Sequence, residues 1–302
     1  MIQPSLDLLH QLAAARGIPV SARPPPRAQW FTASDGARLH YLDWPGAAET
    51  MVLLHGGMLC AHTFDLFVLA LGPEVRCVAL DLRGHGRSDW ADSYSIDRWA
   101  ADVHDLVEHL AVTRVHLLGM SLGGCVAGHS AAELEVTVAS LTFVDVGAEV
   151  CFDASARMRG FFKTVRPAAA VEEVVEQALA LSPRTDPSLM LYRYQALLVD
   201  QPEGYVWKAD RRRPTNFDHI LGKLAELSRL GPAIRCPVLV VKGGRSRVLT
   251  DITAATFAGC FVRGRWQLIP GAGHNIQEDA PVALATAVAN LMGTRAVQPL
   301  DP

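Results

Sequence analysis

The sequence lacks the features that would assign it to a membrane, a secretory pathway or a polyanion. No stretch approaches the eighteen or so consecutive apolar residues of a membrane-spanning helix. The first twenty residues have no basic segment, and Asp7, His10 and Gln11 interrupt their apolar residues, so we do not expect a secretory signal. The 28 Lys and Arg residues nearly balance 31 Asp and Glu residues, for a net charge of -3. We therefore predict a cytoplasmic protein that binds neither nucleic acid nor membranes.

Cysteine is sparse and scattered. Six cysteines are spread over 302 residues, and no two of them form a C-x-x-C pair. This spacing argues against a disulfide framework and against a zinc site, so we predict reduced cysteines and no bound metal. Apolar residues, in contrast, make up half of the chain. A chain of this length can bury roughly three quarters of the surface that its unfolded form exposes, which predicts a globular protein with a large core.

Short apolar runs alternate with amphipathic helical patterns along most of the chain. Residues 51–54, 75–80 and 115–118 are compact apolar runs of the kind found in strands buried on both faces. Between the last two, residues 96–110 place apolar side chains at helical spacing, with acidic side chains elsewhere on the helix. This alternation predicts an α/β fold with a mainly parallel sheet that is covered by helices on both faces.

The alternation also predicts the domain organisation. It stops near residue 147, gives way to a succession of helix-like segments, and resumes after residue 231. We therefore predict a core formed by residues 29–146 and 232–302, with residues 147–231 as an insertion. Residues 1–28 form an N-terminal extension in which three consecutive prolines, at 24–26, make an extended linker.

The strongest chemical feature is Gly119-Met120-Ser121-Leu122-Gly123, where a predicted strand turns into a predicted helix. In such a turn the strained backbone projects the serine hydroxyl above the sheet, and the flanking glycines let strand and helix approach closely. Ser121 is therefore a candidate nucleophile. A glycine-rich turn could instead bind phosphate. Whether a base lies near Ser121 distinguishes a nucleophile from a phosphate site.

A serine nucleophile needs a base within hydrogen-bond reach, and His274 is the best candidate among eleven histidines. It ends the sequence Gly271-Ala272-Gly273-His274, which follows the last predicted strand and precedes the last helix. The carboxyl ends of parallel strands share one edge of the sheet, so His274 and Ser121 are expected at the same rim. The alternative is a histidine that caps the terminal helix.

Acyl transfer also requires two donors aimed at the oxyanion of the tetrahedral intermediate, and backbone N–H groups can serve. Leu122, directly after the nucleophile, is predicted to supply one of them. The loop His55-Gly56-Gly57 after the first buried parallel strand can turn toward Ser121 and supply the other. Gly57 is the preferred donor, with Met58 next.

In chain order these motifs resemble those of the α/β-hydrolase superfamily, in particular its esterase-like members with a serine nucleophile and a cap. The resemblance covers most of the chain from residue 29 to about 292 and is carried by five segments: His55-Gly56-Gly57, residues 81–89, residues 119–123, Val144-Asp145-Val146-Gly147 and residues 271–274. It implies an eight-stranded, mostly parallel sheet with a helical cap inserted after the sixth strand. It also implies a triad of serine, acid and histidine that needs no cofactor.

The acid of the triad departs from the pattern of the superfamily. Similar sequences carry an aspartate shortly after the seventh strand, and here Arg247 stands at that position. A cation cannot hold the imidazole in the required tautomer or stabilise the imidazolium. Asp145, at the end of the sixth strand, is the preferred replacement, because some members of the superfamily are similar in taking their acid from that strand. Asp251 is the other candidate, although it is also suited to the first turn of a helix.

The predicted insertion is rich in aromatic residues, which favours an apolar or aromatic acyl substrate, although aromatic side chains also pack cap helices onto a core. These residues are Phe152, Phe161, Phe162, Tyr192, Tyr194, Tyr205, Trp207 and Phe217. The predicted function is hydrolysis of a carboxylic ester, or a similar acyl compound, through an acyl-serine intermediate. A lactonase or a hydrolase of carbon–carbon bonds in diketones could use the same triad. A non-catalytic binding protein with a hydrolase shell is the alternative that Arg247 suggests.

Overall fold

The computed structural model describes residues 4–20, 23–47, 49–151, 160, 167–211 and 217–296. Its strands form an eight-stranded sheet and a two-stranded sheet. The strands are β1 (Arg27–Thr32), β2 (Arg38–Trp44), β3 (Glu49–Leu54), β4 (Val75–Leu80), β5 (Arg114–Met120), β6 (Thr137–Val144), β7 (Leu198–Gln201), β8 (Gly204–Trp207), β9 (Val238–Gly243) and β10 (Gly264–Ile269).

The helices lie between these strands and at both ends of the described chain. They are α1 (Leu6–Ala14), α2 (Asp65–Leu71), α3 (Ile96–His109), α4 (Leu122–Glu133), α5 (Val171–Leu181), α6 (Pro187–Leu197), α7 (Phe217–Leu230), α8 (Asp251–Gly259), α9 (Ile276–Asp279) and α10 (Pro281–Met292). Short 3-10 helices occupy Ala61–Phe64 and Gly231–Ala233. Across the described ranges, none of the helices has the length and apolar character needed to cross a membrane.

The large sheet has the strand order β1-β2-β4-β3-β5-β6-β9-β10. β2 pairs antiparallel with both β1 and β4, and the six strands from β4 to β10 in this order run parallel. The predicted eight-stranded, mostly parallel sheet is therefore confirmed. Because the parallel strands end at one edge, the loops that follow β3, β5, β6, β9 and β10 gather there.

Side chains of each central strand point alternately to the two faces of the sheet and join two separate apolar clusters. In β3, Met51 and Leu53 belong to the cluster that contains α2 and α10, whereas Val52 and Leu54 belong to the cluster with α3, α4 and α8. All six residues of β9 are buried. The near-continuous apolar character of these strands follows from helices covering both faces.

Between β6 and β9 lie residues 147–231, the predicted insertion, whose described part contains α5, α6, the β7–β8 hairpin and α7. We refer to this segment as the insertion. The sequence predicts only helices for this segment, so the hairpin is an addition to that prediction. α1 of the N-terminal extension packs against α2 and α6, with Leu9 and Leu12 buried. The backbone N–H of Ser5 donates to Gln195 Oε1 at 3.2 Å. The extension therefore contacts both the core and the insertion.

Candidate active site

Ser121 lies at the turn between β5 and α4, in a backbone conformation with φ 52° and ψ -117°. This region is unfavourable for a residue with a Cβ and costs about 1–3 kcal/mol. A Cβ on Gly119 would lie 2.1 Å from the carbonyl oxygen of Gly123, and one on Gly123 would lie 2.0 Å from that of Leu54. The Ser121 side chain does not cap the helix that it starts. Its hydroxyl is thus held at the sheet edge and left available for chemistry.

Asp145 and His274 meet at the same edge. Nδ1 of His274 lies 2.7 Å from Oδ2 of Asp145, whose side chain is fully buried, whereas the imidazole is about one third exposed. An ionised carboxylate can only accept hydrogen bonds, so Nδ1 carries the proton and Nε2 presents a lone pair. This is the tautomer that a general base needs. No hydrogen bond joins the side chains of Ser121 and His274; in unliganded hydrolases that bond often tightens only in the Michaelis complex.

The carboxylate of Asp145 has two further partners that sequence reasoning missed. The backbone N–H of Gly243 donates to Oδ1 at 3.1 Å, and the hydroxyl of Ser246 donates to Oδ2. Both partners come from the end of β9 and the loop after it. The backbone N–H of Asp145 itself donates to the carbonyl oxygen of Val241 at 2.7 Å. The acid is therefore held from β9 as well as from its own strand.

Asp251, the other candidate acid, lies elsewhere. Its side chain is 63% exposed and pairs with Lys242 Nζ at 3.2 Å. It occupies the first turn of α8, whose N-cap Thr250 accepts a hydrogen bond from the backbone of Thr253. Arg247 is exposed to solvent. The structure therefore brings Asp145, and not Asp251, to His274.

The loop after β3 is oriented by the buried imidazole of His55. Nδ1 of His55 donates to the carbonyl oxygen of Gly56 at 2.8 Å, and Nε2 accepts from the backbone N–H of Leu82 at 3.0 Å. Burial lowers the pKa of His55 and favours this neutral form. In a trans peptide the C=O and N–H point in opposite directions, so the N–H of Gly57 points away from His55. His55 thereby fixes the direction of a candidate oxyanion donor.

The two N–H groups nominated from this loop are free of hydrogen bonds to the described part of the chain. Neither Gly57 nor Met58 donates a backbone hydrogen bond to another described residue. Met58 has a positive φ of 64°, and a Cβ on Gly57 would lie 3.9 Å from Leu122 Cδ2. Gly57 is thus adjacent to Leu122, whose backbone N–H is the other predicted oxyanion donor.

The described aromatic residues of the insertion serve its packing. Tyr192, Tyr194 and Trp207 are buried, and the Tyr192 hydroxyl donates to Asp65 in the core. Burial, followed by the charge of Asp65, raises the pKa of Tyr192 well above its usual range. Phe152, Phe161, Phe162 and the side chain of Phe217 lie outside the described residues.

A buried ion pair, also missed from the sequence, ties the insertion to the His274 loop. The guanidinium of Arg193 on α6 donates to Oε2 of Glu278, and the two side chains are 12% and 5% exposed. Thr63, shortly after the His55 loop, donates to Oε1 of Glu278 at 2.6 Å. Glu278 follows His274 by four positions. Three segments therefore meet at one carboxylate: α6 of the insertion, the 3-10 helix Ala61–Phe64 after the His55 loop, and α9 after His274.

Comparisons with known proteins extend over most of the chain. A family model described as the alpha/beta hydrolase family matches residues 51–287. Esterase Rv0045c of Mycobacterium tuberculosis is 29% identical over 265 residues, covering 84% of this chain and 86% of that protein. Protein phosphatase methylesterase 1 of Mus musculus is 27% identical over 297 residues, covering 80% and 75%. The crystal structure of the M. tuberculosis esterase matches with a TM-score of 0.76 at 27% identity, over 95% of this chain and 97% of that one.

Proposed function

The chain belongs to the alpha/beta hydrolase family and is an ester-acting enzyme, and from this premise we propose that it cleaves a carboxylic ester through an acyl-Ser121 intermediate. The proposal rests on one juxtaposition: a strained serine elbow and a histidine–aspartate pair at the same edge of the sheet. Two similar proteins that carry the names esterase and methylesterase support the choice of an ester bond.

In the acylation step, Ser121 Oγ attacks the ester carbonyl while Nε2 of His274 takes the hydroxyl proton. Buried Asp145 stabilises the imidazolium that forms, through its 2.7 Å contact with Nδ1. The backbone N–H groups of Leu122 and Gly57 bind the oxyanion, and each such donor is worth about 100- to 1,000-fold in rate. His274 then gives the proton to the leaving alcohol. Water, activated by the same imidazole, hydrolyses the acyl-enzyme.

We propose that the insertion is the cap over this site and that it bounds a pocket for an apolar or aromatic acyl group. Its anchorage to the core supports the first part, since Arg193 and Tyr192 on α6 bond to Glu278 and Asp65. The non-catalytic alternative depended on Arg247 replacing the acid. Because Asp145 already partners His274, Arg247 gives no reason to prefer that alternative.

A fluorophosphonate probe and a panel of p-nitrophenyl esters, from acetate to octanoate and benzoate, test the proposal. Wild-type protein should be labelled at Ser121 and show a burst of p-nitrophenol. Ser121→Ala should not be labelled and should lose kcat by several orders of magnitude, because triad residues act as a unit. The matched control is Ser130→Ala in α4, which removes a buried hydroxyl that has no hydrogen-bond partner among the described residues. Esterase activity of Ser121→Ala within about tenfold of wild type would refute the mechanism.

A further inference from the structure

The segment that follows β9 contacts the catalytic acid, although it does not contain that acid. Residues 243–248 run past Asp145, and Gly243 N–H and Ser246 Oγ donate to different oxygens of its carboxylate. Ser246 directly precedes Arg247, the residue that stands where similar sequences have their acid. The loop therefore still contacts the triad, through the hydroxyl of Ser246, the residue before the position at which similar sequences have their acid.

The direction of the Ser246 hydrogen bond follows from its second contact. The backbone N–H of Val248 donates to Ser246 Oγ at 3.2 Å, which uses a lone pair of the hydroxyl. The hydroxyl proton is then free to point at Asp145, whose oxygens can only accept when ionised. Oδ2 of Asp145 thus receives both the Ser246 hydroxyl and Nδ1 of His274.

Two donors on two different oxygens restrict rotation of the carboxylate about its Cβ–Cγ bond, a torsion with a broad energy profile. Gly243 alone, at 3.1 Å from Oδ1, fixes one oxygen. Ser246 fixes the other, which is the one that holds the imidazole. Catalytic groups work only when such supporting bonds hold them to within about 0.5 Å of the productive geometry.

We infer that Ser246 is a positioning residue of the triad, which orients the Asp145 carboxylate toward His274. This inference rests on the proposed function, because it assigns Ser246 a role through Asp145. It also accounts for the exposed Arg247: the loop contacts the triad through Ser246, so position 247 does not need to carry an acid.

The test starts with Ser246→Ala and Ser246→Thr. Loss of one hydrogen bond to a charged group predicts a fall in kcat of about 10- to 100-fold with KM within about twofold. Ser246→Thr keeps the hydroxyl and should stay within about threefold of wild type. Ser130→Ala loses a buried hydroxyl that makes no hydrogen bond within the part of the chain that the structure describes, and it should leave kcat unchanged. Equal losses in the Ala and Thr variants would overturn the inference.

The Asp145→Asn background separates positioning from a general structural role. If Ser246 acts through the carboxylate, Ser246→Ala should cost less than about threefold in that background, since interacting residues give non-additive effects. An unchanged fold-loss in both backgrounds, or no loss in the wild-type background, would overturn the inference. The low-field proton resonance of His274 Nδ1–H provides a readout independent of turnover, and it should move in Ser246→Ala but not in Ser130→Ala. Activity that survives in Ser121→Ala would instead refute the proposed function itself.

Discussion

The catalytic edge of the sheet and the insertion above it are held in place by different means. Among the described residues, four that are not glycine have a positive φ, and three of them, Met58, Ser121 and Asp145, border the site. The edge is thus fixed mainly by backbone geometry. The insertion is attached to a greater extent by side chains, with Arg193 bonded to Glu278, Tyr94 to Asp210 and Trp90 to a backbone carbonyl at position 208. Two backbone hydrogen bonds, from Cys151 to Val248 and from Asp210 to Gly84, add to them.

This difference separates the demands of chemistry from those of substrate access. Reacting groups require a geometry defined to a fraction of an ångström, which strained and closely packed backbone provides at a cost in stability. The side-chain contacts of the insertion can be changed one by one without altering the nucleophile turn. Substitutions at the edge should therefore abolish activity, whereas those at the insertion should mainly lower stability.

The largest effect is expected for Asp145→Asn, which keeps the shape of the side chain but favours the wrong imidazole tautomer. We expect kcat to fall by about ten-thousand-fold, as for the equivalent change in serine proteases. Asp251→Asn, the matched control, loses the ion pair between its exposed carboxylate and the buried Lys242. Its kcat should stay within about threefold of wild type, because Asp251 is not the carboxylate that orients His274. Steady-state kinetics on a p-nitrophenyl ester measure both. A larger loss in Asp251→Asn than in Asp145→Asn would reverse the assignment of the acid.

Gly123→Ala tests the backbone of the edge directly. Its Cβ would lie 2.0 Å from the carbonyl oxygen of Leu54, so strand β3 or helix α4 would have to shift. We expect a loss of roughly 4 kcal/mol in the free energy of unfolding, measured by urea titration. Gly222→Ala in α7 has open space around the new methyl group and should stabilise by roughly 0.5–1 kcal/mol. Similar free energies for both variants would contradict the close approach.

Arg193→Met tests the side-chain anchorage of the insertion. It leaves the buried carboxylate of Glu278 without its cation, which should cost about 3 kcal/mol of unfolding free energy. Arg193→Met combined with Glu278→Met should recover part of that loss, because no charge then remains buried. Chemical denaturation of the wild type, the single variant and the double variant measures this, and kcat should fall far less than in Asp145→Asn. A double variant less stable than Arg193→Met would rule out the pair as a buried-charge contact.

The smallest effect concerns the stability of the protein at acidic pH, which depends on His85. Burial, followed by the nearby His55, lowers the pKa of His85 to about 3 from the usual 6.5. Between these two pKa values His85 is protonated in the unfolded chain but neutral in the folded chain. The free energy of unfolding therefore falls as the pH drops below the unfolded value. From pH 7 to pH 5 this one residue should cost about 2 kcal/mol. His85→Gln should flatten the pH dependence of unfolding free energy, and an unchanged slope would show that His85 is not responsible.

The features that could be predicted from the sequence are those whose residues lie close together along the chain. The glycines that frame Ser121 and the loop that ends in His274 lie within a few residues of the groups they support, and both segments occupy the sheet edge as expected. The sheet could be predicted because strands buried on both faces leave continuous apolar runs. Asp145 could be nominated only because the resemblance allowed an acid at the end of the sixth strand.

The contacts that escaped prediction join distant parts of the chain. Ser246 and Asp145 are 101 positions apart, and Arg193 and Glu278 are 85 apart. No periodicity or motif connects such residues, because the fold alone brings them together. The β7–β8 hairpin escaped for another reason: its four-residue strands are too short to show alternation, although Pro202 and Glu203 lie in the turn between them and Gly204 follows directly.

The contact between α1 and the insertion has a consequence for the order of events during synthesis. Ser5 meets Gln195, 190 residues further along the chain, while α2, the other neighbour of α1, follows within about seventy residues. At roughly 5–20 residues per second, a ribosome takes about 10 to 40 s to produce the second partner after the first residues emerge. During that interval part of the apolar surface of α1 stays uncovered. A nascent chain stalled near residue 150 should therefore bind, through α1, a chaperone that recognises exposed apolar segments. A nascent chain stalled well beyond residue 230 should not bind that chaperone through α1.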